Sequence, residues 1–215
     1  MSFQIKGVTI VQTTFLKTLA ALLLVFASST VAWGQTRFPN IPRDQLSEAQ
    51  KQVYDAIAGG PRGGVRGPFG PLLRSPELTD RVQKLGEYLR FNTSLPPRLN
   101  EMAILINARF WESKYEWHAH KPLAVKGGLA ESLAEELAQN QRPRNMKADE
   151  EVVYDMCMAL HKTHFVDDAL FKRAIDLLGE RGVIDLIAVS GYYTLISMVL
   201  NVAETPLPAG ASSPW

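Results

Sequence analysis

From Ser47 onward apolar residues return every three or four positions, and no stretch keeps the two-residue alternation of a strand. The pattern predicts a chain of helices. Ser47 and Gln50 form a capping box for a helix running to about Ala58. A second helix opens at Ser75-Pro76, a cap followed by proline at the first helical position, with Leu78, Val82, Leu85 and Leu89 lining one face. Pro97 to Trp111 is apolar nearly all round, which predicts a buried central helix. The next helix carries SKYEWHAHKPLA and ends at Gly127-Gly128. A short helix follows over Ala130–Ala138, then a polar break over Asn140–Met146 and a helix from Ala148 to His161. Asp167 caps a further helix that ends at Gly179.

The last predicted helix, Val183–Val202, contains eighteen uncharged residues in a row, Leu186 to Ala203. That length matches a membrane span. Ser190, Gly191, Tyr192, Tyr193, Thr194, Ser197 and Asn201 interrupt it, so the expectation is a core helix that lines a cavity. Between the first two helices lies GGPRGGVRGPFGPLL, too long for a simple turn and expected to act as a lid or a linker.

The chain also starts with a different pattern. Lys6 and Lys17 precede the apolar run Leu19–Phe26, and small residues follow up to Gly34. This is the order of a secretory signal peptide, with a cut after Ala32 or Gly34. Residues 1–34 are therefore expected to be removed and 35–45 to act as a linker. A globular domain should cover 46–208, with a fraying tail over 209–215. The mature protein is expected in the periplasm or outside the cell, without stable membrane association.

Composition narrows the chemistry. The net charge is +1 and no basic block occurs, so nucleic acid is not an expected partner. Cys157 is the only cysteine, which excludes an internal disulfide and any dithiol reaction within one chain.

The residues able to carry chemistry are few. On a helix, residues four apart share a face and residues two apart do not, so Glu116 and His120 are neighbours while His118 points elsewhere. Two histidines so spaced cannot grip one metal from a helix. Glu101 projects from the apolar stripe of Ile104, Leu105 and Ala108, where an ionised carboxylate needs a cation or donor. His120 is the natural partner. A carboxylate and an imidazole coupled in an apolar pocket can transfer protons. Residue pattern leaves two other readings open: a structural Glu–His hydrogen bond, and a metal site of Glu101, Glu116 and His120.

At these residues the chain resembles a known family. NEMAILINARFWESKYEWHAHKPLAVKGGLAE, with GPRGGVRGPFGPLLRSPEL before it and LLGERGVIDLIAVSGYYTLISMVLN after it, is similar to the carboxymuconolactone decarboxylases of the alkylhydroperoxidase-D-like superfamily. The resemblance implies an all-α, alkylhydroperoxidase-D-like helical bundle with an N-terminal helical extension, assembled as a homo-oligomer. Trp111 and Trp117, expected to be exposed, would suit the interface. The peroxidase branch of the superfamily places a Cys-x-x-Cys pair where this chain has Ser113 and Glu116, and peroxide reduction through a disulfide needs that sulfur.

The implied activity is therefore decarboxylation of a small carboxylated lactone or related organic acid, without cofactor or metal. His120 would handle the proton, Glu101 fix its tautomer and Glu116 tune or share the charge. Arg62, Arg66 or Arg90 would hold the anionic substrate, and Tyr193 and Asn201 would line the pocket. The family's reaction belongs to intracellular aromatic-acid breakdown, whereas the signal peptide directs this chain outward. Scaffold is thus implied more firmly than substrate. A peroxidase-type oxidoreductase and a non-catalytic binding protein are the alternatives.

Overall fold

The computed structural model describes residues 36–215, so the predicted signal peptide lies outside the described residues. Within them every regular element is helical. A 3₁₀ turn at Arg43–Gln45 leads into α1 (Glu48–Gly59), followed by α2 (Phe69–Leu72), α3 (Pro76–Phe91), α4 (Pro97–Phe110), α5 (Lys114–Lys126), α6 (Glu131–Ala138), α7 (Ala148–Lys162) and α8 (Asp168–Ala203).

Two of the three predicted caps make their side-chain bonds; Ser75 makes none, although Pro76 opens α3 as expected. The backbone N–H of Gln50 donates to Ser47 Oγ at 3.3 Å, and that of Ser47 donates to Gln50 Oε1 at 2.9 Å. Asp167 Oδ1 accepts from the N–H of Leu170 at 2.8 Å. Gly179 ends the first half of α8 with φ 69° and ψ 170°, a conformation open to glycine but not to residues with a side chain. The helix resumes directly beyond it, so the two predicted elements form one kinked rod.

α4 is the centre of the molecule. Residues Leu99–Ala108 are all buried, and α5, α6, α7 and α8 pack around them. The all-round apolar pattern of this helix requires that surrounding. The second half of α8 packs along α4 through Leu186, Val189, Ile196 and Leu200, as a core helix does. On α3 the predicted stripe is only half right. Val82 and Leu89 are buried, but Leu78 and Leu85 are about half exposed. Thr79, Gln83 and Gly86 turn inward with Val82 and Leu89 instead, because α3 is rotated to bring its small Gly86 against α8.

Asp185 holds α8 to α3 and to the loop before α4. It accepts hydrogen bonds from Ser94 N and Oγ at 2.7 Å each and from Tyr88 Oη at 2.9 Å. The predicted linker is also tied down: Thr36 Oγ and Arg37 N both donate to the carbonyl of Ala203, at 2.7 and 3.0 Å. The tail beyond Pro208 carries no helix, yet its Trp215 packs edge-on against Trp117 with ring centres 5.3 Å apart. Trp117 itself is only 2% exposed. Being part of the core, it does not form the exposed interface aromatic that the sequence suggested.

Candidate functional site

The glycine- and proline-rich segment after α1 folds back against α3, α5 and α8. Phe69, Leu72 and Leu73 anchor it in the core, and positive φ at Gly63 and Gly67 lets the backbone turn sharply ahead of them. A cavity of about 300 Å³ lies beneath it. Its walls include Arg62 and Arg66 from this segment, Arg90 from α3, Tyr115, Glu116 and His120 from α5, and Tyr192 and Tyr193 from α8.

At one wall an imidazole is clasped from both sides. His120 Nδ1 lies 2.7 Å from Glu101 Oε2, and Nε2 lies 2.9 Å from Glu116 Oε1. Glu101 reaches across from α4, while Glu116 sits one turn before His120 on α5. The three are buried, at 7%, 4% and 3% exposure. Burial disfavours the charged ring, but the charge of Glu116 and the ring's hydrogen bonds to both carboxylates outweigh it and raise His120 to about 9. At neutral pH the ring is therefore an imidazolium, hydrogen-bonded to Glu101 through Nδ1 and ion-paired with Glu116 through Nε2. The expected Glu101–His120 pair is present, with Glu116 as a third member.

The two carboxylates bind opposite nitrogens, so they do not converge on one point. Among the described residues no group of three or more His, Cys, Asp or Glu is arranged to hold a metal ion. His118 is exposed and faces away from the cavity, as the helical spacing requires.

The arginines are the second feature. Nine of the thirteen described arginines lie within 4.0 Å of a carboxylate. The four that do not are Arg62, Arg66, Arg74 and Arg90, and three of these line this one cavity. Arg74 instead donates to the carbonyls of Pro39 and Gly70. Residues 1–35 contain no Asp or Glu and so supply no missing carboxylate. The Arg62 guanidinium stacks over the Phe69 ring at 4.7 Å, and its Nε and Nη2 are buried without a well-formed hydrogen bond.

Tyrosines complete the walls. Tyr193 stands edge-on to His120 with ring centres 5.2 Å apart. Burial and the neighbouring Glu116 and Glu101 push its phenol well above the ordinary value. Burial pushes Tyr192 up to about 12, although the Arg62 charge acts in the opposite direction. Both are thus neutral hydroxyl donors. Tyr192 and Tyr115 were not singled out from sequence. Their only signal was an aromatic ring one or two residues from a candidate, which is common in ordinary cores.

Asn201 is not in the cavity. It lies eight residues beyond Tyr193, about 12 Å along the helix axis, and donates to the carbonyl of Trp111 at 2.6 Å. There it satisfies the end of α4. Ser113 is buried and its Oγ has no hydrogen-bond partner.

Cys157 lies on α7, fully buried, 3.4 Å from Ser190 Oγ. Burial pushes its thiol up to about 12 against the opposing hydrogen bond from Ser190.

No family profile and no curated protein matches this chain. Solved structures do. An alkylhydroperoxidase AhpD core described as an uncharacterized peroxidase-related protein from Ralstonia eutropha JMP134 superposes with a TM-score of 0.69 at 16% identity, over 83% of this chain and 95% of that one. An uncharacterized peroxidase-related protein from Silicibacter sp. TM1040 gives 0.67 at 16% identity, over 82% and 94%. At that identity the likeness concerns the fold alone. The chain is an all-α protein of alkylhydroperoxidase-D-like fold.

Proposed function

We propose that the protein is a cofactor-free carboxy-lyase acting on a small carboxylated lactone or related organic acid. One observation carries this reading: three arginines without carboxylate partners surround the cavity that also contains the Glu101–His120–Glu116 unit. Arg62 Nε and Nη2 are buried without partners, and an anion in the recess would supply them, with the partly buried Arg90 and the exposed Arg66 adding to the positive potential. The volume suits a small molecule. Loss of carbon dioxide from a held carboxylate leaves an electron pair on carbon that must be quenched by a proton, and the buried imidazolium is a store of protons at neutral pH.

The superfamily's peroxidase chemistry fits these residues less well. By the family resemblance Ser113 and Glu116 stand where the peroxidase branch has its two sulfurs, and Cys157 is a buried, protonated thiol with no second cysteine in the chain. Purified protein offered a panel of carboxylated butenolides, including carboxymuconolactone, should release carbon dioxide. Binding without turnover would favour a carrier, and peroxide consumption abolished by Cys157→Ala would favour an oxidoreductase.

Export and self-association belong to the same proposal. Residues 1–34 read as a cleaved leader, which N-terminal sequencing of secreted or periplasmic protein would test. A homo-oligomer would cover the exposed apolar side chains Leu78 and Leu85 of α3 and Ile184 and Ile187 of α8. Light scattering would measure it.

A further inference from the structure

Which atom gives the proton to carbon is a separate question from the reaction class. We infer that Glu116 passes the proton to the substrate, with His120 as the charged reservoir behind it and Glu101 as the anchor of the ring. This assignment rests on the lyase reading above and reverses the roles that residue type alone suggests, in which the histidine touches the substrate.

Valence limits what the ring can do. An imidazole ring has two nitrogens able to carry an exchangeable proton. Both are occupied in His120, Nδ1 by Glu101 at 2.7 Å and Nε2 by Glu116 at 2.9 Å. The ring is 3% exposed, so what it presents to the cavity is not a free N–H. Glu101 is on the far side and does not line the cavity, whereas Glu116 does. Glu116 Oε1 stands 2.9 Å from Nε2 in an ion pair, and no group among the described residues donates to Oε2. A carboxylate with one oxygen on a proton source and the other free is a two-ended relay.

The resting unit contains two carboxylates and one imidazolium, a net charge of −1. When the bond between the substrate carbon and its carboxylate breaks, the electron pair stays on carbon and carbon dioxide leaves. The proton on Nε2 moves to Glu116 Oε1, the carboxyl turns about its Cγ–Cδ bond, and its O–H gives the proton to that carbon. His120 is left neutral, with Nδ1–H still on Glu101. A solvent proton then restores Nε2, so one proton is consumed for each carbon dioxide released. The raised proton affinity of His120 ensures that the reservoir is full at neutral pH. The competing donor in the cavity is the neutral Tyr193 phenol, whose ring adjoins His120.

Two measurements test this. The first needs no substrate: ¹⁵N spectra of histidine-labelled protein at pH 7. The expected result is two protonated nitrogens on His120, in wild type and in Glu116→Asp. A His120 ring with an unprotonated Nε2 in wild type overturns the assignment, whether or not any substrate is known. The second uses carboxymuconolactone in D₂O. Glu116→Gln, an isostere that still accepts from Nε2, should lower kcat by roughly 100-fold or more. Glu116→Asp should recover part of that loss, and Tyr193→Phe should still place a single deuterium on one face of the product carbon. Stereospecific deuterium transfer that survives in Glu116→Gln but is lost in Tyr193→Phe overturns the assignment. If wild type turns over no carboxylated lactone, the lyase reading fails while the nitrogen spectra still decide the state of the ring.

Discussion

Glu101 Oε2 lies 2.7 Å from His120 Nδ1, although the residues are nineteen apart in sequence and belong to different helices. The carboxylate is buried on the second turn of α4, where it needs a cationic partner, and α5 supplies one. Glu101→Gln keeps an acceptor but removes the charge and should cost about 2 kcal/mol of stability. Glu101→Ala leaves the imidazolium half-paired in the core and should cost about 3–5 kcal/mol. Urea unfolding of the two variants measures both values. Equal, negligible losses would show that the contact is not a charged pair.

The raised proton affinity of His120 sets a pH dependence with a definite sign. The folded ring titrates near 9 and an unfolded histidine near 6.5. Stabilisation from protonation is therefore complete below about pH 6.5 and is lost as pH rises through 9. Glu101 on α4, Glu116 on α5 and Tyr193 on α8 face the ring, and the Tyr193 phenol titrates well above this window. Wild-type Tm should fall between pH 6.5 and 9, while that of His120→Gln should change much less. Parallel curves would refute the buried imidazolium.

Gly86 lets α3 approach α8 at the cavity wall. A Cβ placed there would lie 1.9 Å from Tyr192 Oη and 2.6 Å from Arg62 Nη2. Gly86→Ala must displace both side chains, and overpacking of this kind typically costs about 1–3 kcal/mol. Because both displaced groups line the cavity, binding of a small organic acid should weaken more than stability does. Thermal-shift titration with a carboxylated ligand compares the two.

Cys157 should be chemically silent. Its thiol is fully buried and held protonated to about 12, so thiol reagents and peroxide should modify it only on unfolding. Mass spectrometry of native protein treated with peroxide should find it unmodified, and Cys157→Ala should leave carbon dioxide release intact. Rapid oxidation in the native state would return the redox reading to consideration.

Much of the fold was readable because its signals are local. The capping box at Ser47, the stop at Gly179 and the all-round apolar α4 each depend on neighbours within a turn or two, and each stands where the periodicity places it. The Glu116–His120 pairing followed from helical geometry, and that of Glu101 with His120 from the cost of an unpaired carboxylate. Where the reading failed, the deciding partner was remote. Trp117 is one position from Glu116, but the 100° rotation turns it toward Trp215. Leu78 and Leu85 have the spacing of a buried face, yet Gly86 and Tyr192 set which side of α3 meets α8. Asn201 has the composition of a pocket residue but lies two turns too far along.

The sequence by itself determined that the chain makes helices, which helix is central, which residues can hold charge or move protons, and that dithiol chemistry within the chain is absent. Periodicity, capping and residue type act over a few bonds and need no knowledge of the rest. Only the tertiary structure decided that Glu101 and Glu116 take opposite nitrogens of one ring, that three unpaired arginines meet at the same cavity, and that Tyr192 joins them while Asn201 does not. Those relations depend on how helices rotate and cross, and that is settled by packing the whole core at once.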